Sequence, residues 1–313
     1  MAEKLLVVGD VAIEMLMKLK RMPVPGEVCE EESYHFLPGG PAGNAALAAS
    51  YFGVAVSLCS RVGKDGNATR LTRFFLDNGI NIDSVFAESS AKTGMIVSFC
   101  EASYDQPRIL RYRGACGDLS VDDVDSALRS APDAVYLSPE VDGYIAIHTV
   151  ETCDVRGIPV FLDASAEGLL RSLSVKGAAV KALYTTDKAA EGFTAMPVRD
   201  VETALKCCLT IAQKITADFY VIRMKNRGLF LYDKKTYNII FVTDADEAAP
   251  KLGFADIESA VLAAAYMLHG DPHDACGVAA VADVLARDSK GFRIPTREQV
   301  AAYIENNGLS FHV

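Results

Sequence analysis

Apolar residues in this chain come in short unbroken runs separated by amphipathic stretches, the pattern of strands buried on both faces alternating with helices. Leu5-Leu6-Val7-Val8 is the first run, and Gly9-Asp10 marks its C-terminal edge. Runs at 56–60, 134–137, 160–163, 182–184 and 219–223 predict further strands of a parallel sheet. Helices are expected between them at 45–52, 68–78, 121–130, 144–156 and 201–214. The second of these puts Leu71, Phe74 and Phe75 together and closes at Gly79. A strand pair at 229–232 and 237–242 follows, then helices at 257–269, around 275–285 and at 296–307, the last opened by Pro295-Thr296 with Glu298 two residues on. Two regions fit this sheet poorly. The mixed stretch 28–36 reads as an edge strand or part of a small separate sheet, and 94–99 with 109–112 reads as a hairpin.

Composition narrows the class. A chain of 313 residues, 50% of them hydrophobic, has core enough for one large α/β domain or one domain with a small insertion. A net charge of −10 argues against nucleic acid or an anionic membrane as partner. The 8 cysteines include no C-x-x-C pair and only Cys207-Cys208 are adjacent, so reduced, mostly buried thiols are expected. The apolar run at the N-terminus is too short for a signal peptide, and no stretch approaches the roughly twenty apolar residues of a membrane span. A cytoplasmic protein is expected. The 5 histidines form no ligand spacing.

Two glycine-bearing stretches carry the candidate chemistry. Leu252-Gly253-Phe254-Ala255-Asp256 precedes a helix rich in small residues. Backbone N–H groups and the positive end of the helix dipole suit a phosphate there. Asp256 then either caps the helix or takes a proton from a hydroxyl beside that phosphate. Pro38-Gly39-Gly40-Pro41-Ala42-Gly43-Asn44 opens the helix at 45–52, and its glycines let a ligand approach the backbone while Asn44 either hydrogen-bonds that ligand or caps the helix. It is not a dinucleotide loop, because His35-Phe36-Leu37-Pro38 is not the hydrophobic strand which that fingerprint requires.

In this order the stretches resemble the PfkB family of carbohydrate and nucleoside kinases. The resemblance runs from Val8-Gly9-Asp10 through Gly39-Gly40-Pro41-Ala42-Gly43-Asn44, Arg61-Val62-Gly63-Lys64-Asp65-Gly66, Lys92-Thr93-Gly94 and Gly253-x-x-Asp256 to Pro295-Thr296-Arg297-Glu298. It implies a single ribokinase-like α/β domain over 1–313: a central, mostly parallel sheet with helices on both faces and a small β lid formed by approximately 11–37 and 91–113. It also implies transfer of a phosphoryl group from ATP, with Mg2+, to a hydroxyl of a sugar, nucleoside or similar polyol, and a possible homodimer through the lid. Asp256 would be the catalytic base. Gly39, Gly40 and Asn44 would bind the acceptor, with Asp10, Glu14 and Glu140 as further candidates. Gly253, Phe254, Ala255, Arg223, Lys225 and Gly228 would face the phosphates.

The departures from the family pattern cluster on the phosphate-donor side. Pro250-Lys251-Leu252-Gly253-Phe254-Ala255-Asp256 stands where the family has Asp-Thr-x-Gly-Ala-Gly-Asp, so Ala255 either changes the turn or carries strain. Thr185-Thr186-Asp187-Lys188-Ala189 lacks the family's Asn-x-x-Glu, and Arg223-Met224-Lys225 replaces Thr-x-Gly. On the acceptor side, Glu14 is one methylene longer than the family's aspartate. A sugar-binding or regulatory protein without productive ATP chemistry is the alternative expectation, and use of another phosphate donor through Arg223 and Lys225 a third.

Overall fold

Leu5 and Val7 of the first strand enter one hydrophobic core, while Leu6 and Val8 enter another on the opposite face of the sheet. Burial on both faces is the reason the run is unbroken. The computed structural model describes residues 3–30, 34–88, 90–101, 107–175, 178–225, 227–240, 254–288 and 294–313.

The chain begins with β1 (Lys4–Val8), β2 (Ala12–Leu19), β3 (Tyr34–Gly39) and α1 (Pro41–Tyr51). It continues with β4 (Ala55–Gly63), α2 (Gly66–Asp77), β5 (Asn81–Glu88), β6 (Met95–Glu101), β7 (Arg108–Tyr112) and α3 (Val121–Ala127). β8 (Ala134–Leu137), α4 (Gly143–Arg156), β9 (Val160–Asp163), α5 (Glu167–Ser174), β10 (Ala179–Thr186), α6 (Asp187–Thr194) and α7 (Val201–Ala212) follow. The last elements are β11 (Thr216–Met224), β12 (Gly228–Tyr232), β13 (Tyr237–Ile240), α8 (Phe254–His269), α9 (Pro272–Asp288) and α10 (Arg297–Asn306).

Among the described residues the main sheet has nine strands in the order β13-β12-β11-β10-β9-β8-β1-β4-β5. All neighbouring pairs are parallel except the terminal hairpins β11–β12 and β12–β13. Side chains of α1, α2, α8, α9 and α10 fill the core on one face, and those of α3 to α7 fill the other. Each large aliphatic group buried there contributes about 1.5–3 kcal/mol. α1 and α8 pack side by side through alanines such as Ala45, Ala49, Ala260 and Ala264, all without exposure. Small side chains let the two backbones lie close, which brings both helix N-termini to the same edge of the sheet.

A second sheet, in the order β3-β2-β6-β7, holds the strands that the main sheet did not accommodate. The hairpin expected at 94–99 and 109–112 is the antiparallel pair β6–β7. Of the strand expected over 28–36, residues 34–36 lie in β3 while residues 28–30 lie outside any strand, Val28 being 90% exposed, and 31–33 fall outside the described residues. β5, α5 and α6 were not expected from the sequence. β5 is a partly exposed edge strand, and the two helices are only 8 residues each, too short for a strong periodic signal. All eight cysteines are free, six of them buried. Among the described residues no helix is long and apolar enough to cross a membrane.

Candidate active site

The C-terminal ends of the parallel strands lie along one edge, where ligands of open α/β sheets bind. β1 delivers Asp10 to it, β8 delivers Ser138 and Glu140, β9 delivers Asp163, β10 delivers Thr186 and Asp187, and β11 delivers Lys225. Met224 pairs with Gly228 across the β11–β12 hairpin, so Gly228 stands at this edge too. Its φ of 85° suits a glycine.

The loop Gly39-Gly40 leads directly from β3 into α1. Gly40 is the residue before the helix with φ 81°, and a Cβ there would stand 2.6 Å from the backbone N of Ala12. Only glycine meets both conditions. At Gly39 an added Cβ would meet Glu14 Oε1 at 2.6 Å and Asn44 Oδ1 at 2.8 Å. Asn44 does not cap α1: it lies inside the first turns, its backbone N–H bonded to Gly40 O at 2.8 Å, and its side chain is free for other work. Glu14 Oε1 accepts from Gly40 N at 2.7 Å and from Asn44 Nδ2 at 3.2 Å. The extra methylene of Glu14 therefore carries its carboxylate onto the donors that the resemblance assigns to the acceptor. Burial raises the Glu14 pKa, and the two donors oppose that shift. Asn44 Oδ1 is buried without a protein partner.

Asp256 sits in the first turn of α8, half-buried. Burial pushes its carboxyl well above the usual range, Asp163, Glu14 and Glu140 would push the same way wherever they are ionised, and a hydrogen bond from Asn44 opposes them. Asn44 on α1 and Asp256 on α8 are thus brought together from 212 positions apart. Ala255 is helical and absent from the non-glycine residues with positive φ, so the strain considered for it does not arise. Phe254 begins α8, and Gly253 lies outside the described residues.

Asp10 and Glu140 face two arginines that the sequence reading missed, Arg111 on β7 and Arg113 just past its end. Arg113 forks onto Asp10 through Nε at 2.6 Å and Nη2 at 2.8 Å, and Nη2 also donates to the Glu140 carbonyl at 3.0 Å. Arg111, two residues earlier on β7, pairs with the Glu140 carboxylate. Arg113 stands just past the end of β7 in helical backbone, so strand alternation along the sequence gave no signal for the pair.

On the donor side the picture differs. Arg223 Nη2 donates to Asp283 at 2.8 Å, and its Nε stands 3.5 Å from Glu258, whose carboxylate also accepts from Tyr184 Oη at 2.6 Å. The guanidinium, 16% exposed, is neutralised inside the protein rather than turned toward a ligand. Burial raises Glu258 to about 7, with Arg223 acting against it. Lys225 is exposed, and its backbone N–H donates to Asp187 Oδ2 at 2.9 Å, joining the ends of β10 and β11. Thr186 caps α6 by accepting from Ala189 N at 3.2 Å.

Comparison with known proteins bears on the family and the fold. The family model of the pfkB family carbohydrate kinases matches residues 2–296. A bifunctional ribokinase/ribose-5-phosphate isomerase A of Fructilactobacillus sanfranciscensis is 27% identical over 165 residues, 51% of this chain and only 30% of that protein. The structure of Arabidopsis thaliana ribokinase complexed with ribose and ATP superposes with TM-score 0.84 at 21% identity, covering 97% of this chain and 99% of that one. A putative ribokinase II from E. coli in complex with ATP and Mg2+ superposes with TM-score 0.78 at 15% identity, covering 97% and 99%. The fold is ribokinase-like, and the chain belongs to the PfkB family of carbohydrate kinases.

Proposed function

We propose that this protein transfers the γ-phosphoryl group of ATP to a hydroxyl of a sugar, nucleoside or similar polyol, with Asp256 as the base. The observation that carries the reading is the meeting of Asp256, at the N-terminus of α8, with Asn44 behind the Gly39-Gly40 loop. Neutral amide and backbone groups hydrogen-bond a polyol, and a carboxylate beside them takes the proton as the hydroxyl oxygen bonds to phosphorus and the bond to ADP breaks. Little covalent work falls to the protein beyond alignment.

ATP supplies the phosphoryl group, and Mg2+ offsets its charge. Lys225, Gly228 and Asp187, gathered at the ends of β10 and β11, would hold the nucleotide and its metal. Arg113 and Arg111 fix Asp10 and Glu140 and so anchor the small sheet over the edge where the acceptor binds. Tyr34, Phe36, Ile109 and Leu110 leave that sheet with an exposed apolar surface, which supports a homodimer through it.

The test is thermal melting with Mg-ATP, ADP and a panel of sugars and nucleosides, followed by an ADP-release assay on those that stabilise. Stabilisation by one acceptor class together with acceptor-dependent ADP release is expected. Stabilisation by an acceptor with no ATP effect and no ADP release would overturn the kinase reading in favour of a sugar-binding protein.

A further inference from the structure

Beneath Asp256 lies a buried polar cluster that the phosphoryl-transfer reading does not use. Tyr136 on β8, Asp163 at the end of β9 and Ser259 on α8 are each 2% exposed or less. Ser259 Oγ stands 2.7 Å from Tyr136 Oη, 2.6 Å from Asp163 Oδ2 and 2.8 Å from the carbonyl of Ala255, and Tyr136 Oη is 3.0 Å from Asp163 Oδ2. Asp163 Oδ1 accepts from Ser165 N at 2.9 Å.

Counting protons decides the state of this cluster. The Ala255 carbonyl only accepts, so at its 2.8 Å contact with Ser259 Oγ the proton can come only from Ser259. Tyr136 supplies a second proton. If Asp163 were ionised, either the 2.6 Å or the 2.8 Å contact of Ser259 would join two oxygens with no proton between them. If Asp163 carries a proton, Ser259 donates to Ala255 and accepts from Asp163 and Tyr136, and only the longest contact, 3.0 Å between Tyr136 and Asp163, is left without one.

We propose that Asp163 is a positioning residue: a neutral acid that, through Ser259 and Tyr136, clamps the first turn of α8 and so fixes the Asp256 carboxylate at the acceptor. This rests on the kinase reading for its consequence, though not for its geometry. The clamp reaches Asp256 through its own turn, because Ser259 binds the carbonyl of Ala255 and lies 3.3 Å from that of Asp256. Keeping Asp163 neutral also removes a negative charge from beneath a carboxylate that must be ionised to act as a base. Burial pushes Asp163 in the same direction. Two carboxyl groups with opposed protonation states are a recurrent way of dividing acid and base roles.

Two measurements test the proposal, one independent of turnover. Infrared spectra at neutral pH should contain a protonated-carboxyl C=O stretch that Asp163→Asn removes and Asp256→Asn does not. Hydrogen exchange of the 254–262 segment should accelerate in Ser259→Ala and Asp163→Ala and stay near wild type in Asp163→Asn, whose amide still donates to Ser259. In turnover, Ser259→Ala should lower kcat by about tenfold or more with acceptor KM little changed, as expected for a misplaced catalytic group. Asp163→Asn should restore most of what Asp163→Ala loses. Absence of the infrared difference, or exchange in Ser259→Ala equal to wild type, would overturn the proposal. So would an Asp163→Asn variant as slow as Asp163→Ala. Protein without turnover on any acceptor but with the expected infrared and exchange pattern would instead count against the kinase reading and leave the clamp standing.

Discussion

The two halves of the ligand edge are built on opposite plans. On the half proposed for the acceptor, polar side chains converge from separate elements: Glu14 from β2, Asn44 from α1 and Asp256 from α8, with Arg111 and Arg113 holding its rim. On the donor half, the residues that replace the family pattern turn away from one another. Arg223 is drawn into a buried ion network behind the sheet, and Lys225 is left exposed. Side chains thus meet on one half, whereas on the other the two cations part, one into a structural ion network and one into solvent.

The acceptor half should fail first and hardest. Asp256→Asn keeps the shape and loses the base, so turnover should fall by about 10²- to 10⁴-fold while acceptor-induced stabilisation in thermal melts persists. In the wild type, the activity should rise with pH along an acid limb lying above the ordinary carboxylate range, because burial and neighbouring charge raise Asp256 and only the ionised form accepts a proton. A variant with near wild-type turnover, or an acid limb at ordinary carboxylate pH, would remove Asp256 from the role.

Arg223→Ala separates the halves most clearly. Removing the cation leaves Glu258 buried beside Asp283, which should cost about 3 kcal/mol in denaturant unfolding. The pH sign follows from Glu258: its folded pKa of about 7 exceeds the ordinary 4.5, so its contribution to stability is present below 4.5 and is lost as pH rises through about 7. Without Arg223 the Glu258 pKa rises further, and the deficit of the variant should grow with pH across that window and beyond. A variant as stable as wild type, with a raised nucleotide KM, would return Arg223 to the phosphates.

How much of this was legible in the sequence follows the same division. Leu5 to Val8, Ala134 to Leu137 and Val160 to Asp163 announced themselves because parallel strands buried on both faces admit only apolar residues. The glycine loop and Asp256 were readable as local motifs. The ion network was not: Tyr184, Arg223, Glu258 and Asp283 come from four elements, and no spacing along the chain announces that they meet. The same holds for Tyr136, Asp163 and Ser259, which are 96 to 123 positions apart where they join Ser259. Asp163 offered a hint, a carboxylate ending an apolar strand, but nothing identified its partners. At the C-terminal helix, Thr296 caps α10 with Gln299 rather than with Glu298, a shift of one residue that places the side chain at the third helical position.

Glu14→Asp tests the acceptor half more finely. Shortening the side chain withdraws Oε1 from Gly40 N and Asn44 Nδ2, at present 2.7 and 3.2 Å away, and opens both donors to a hydroxyl. The ratio of kcat/KM between two acceptors differing at one hydroxyl should change by about tenfold, since a polar site left unpaired discriminates more strongly than an apolar one. An unchanged ratio would mean that Glu14 already leaves those donors when the acceptor binds.

The smallest effect is expected at Lys225, and it completes the contrast. The ammonium is exposed and its backbone N–H, which a substitution does not remove, already ties β11 to Asp187. Lys225→Ala should therefore change stability by no more than about 0.5 kcal/mol. If the ammonium meets the triphosphate in the open solvent at the strand ends, its loss should raise the nucleotide KM by about threefold, leave the acceptor KM unchanged, and make that KM less sensitive to salt, because an exposed charge acts over a screened distance. Arg223 near the end of β11 and Lys225 just past it would then read out in different assays: the first in unfolding, the second in nucleotide binding. A Lys225→Ala variant with unchanged nucleotide KM at low salt would place the phosphates elsewhere along the edge and leave the donor half without a cation of its own among the residues tested.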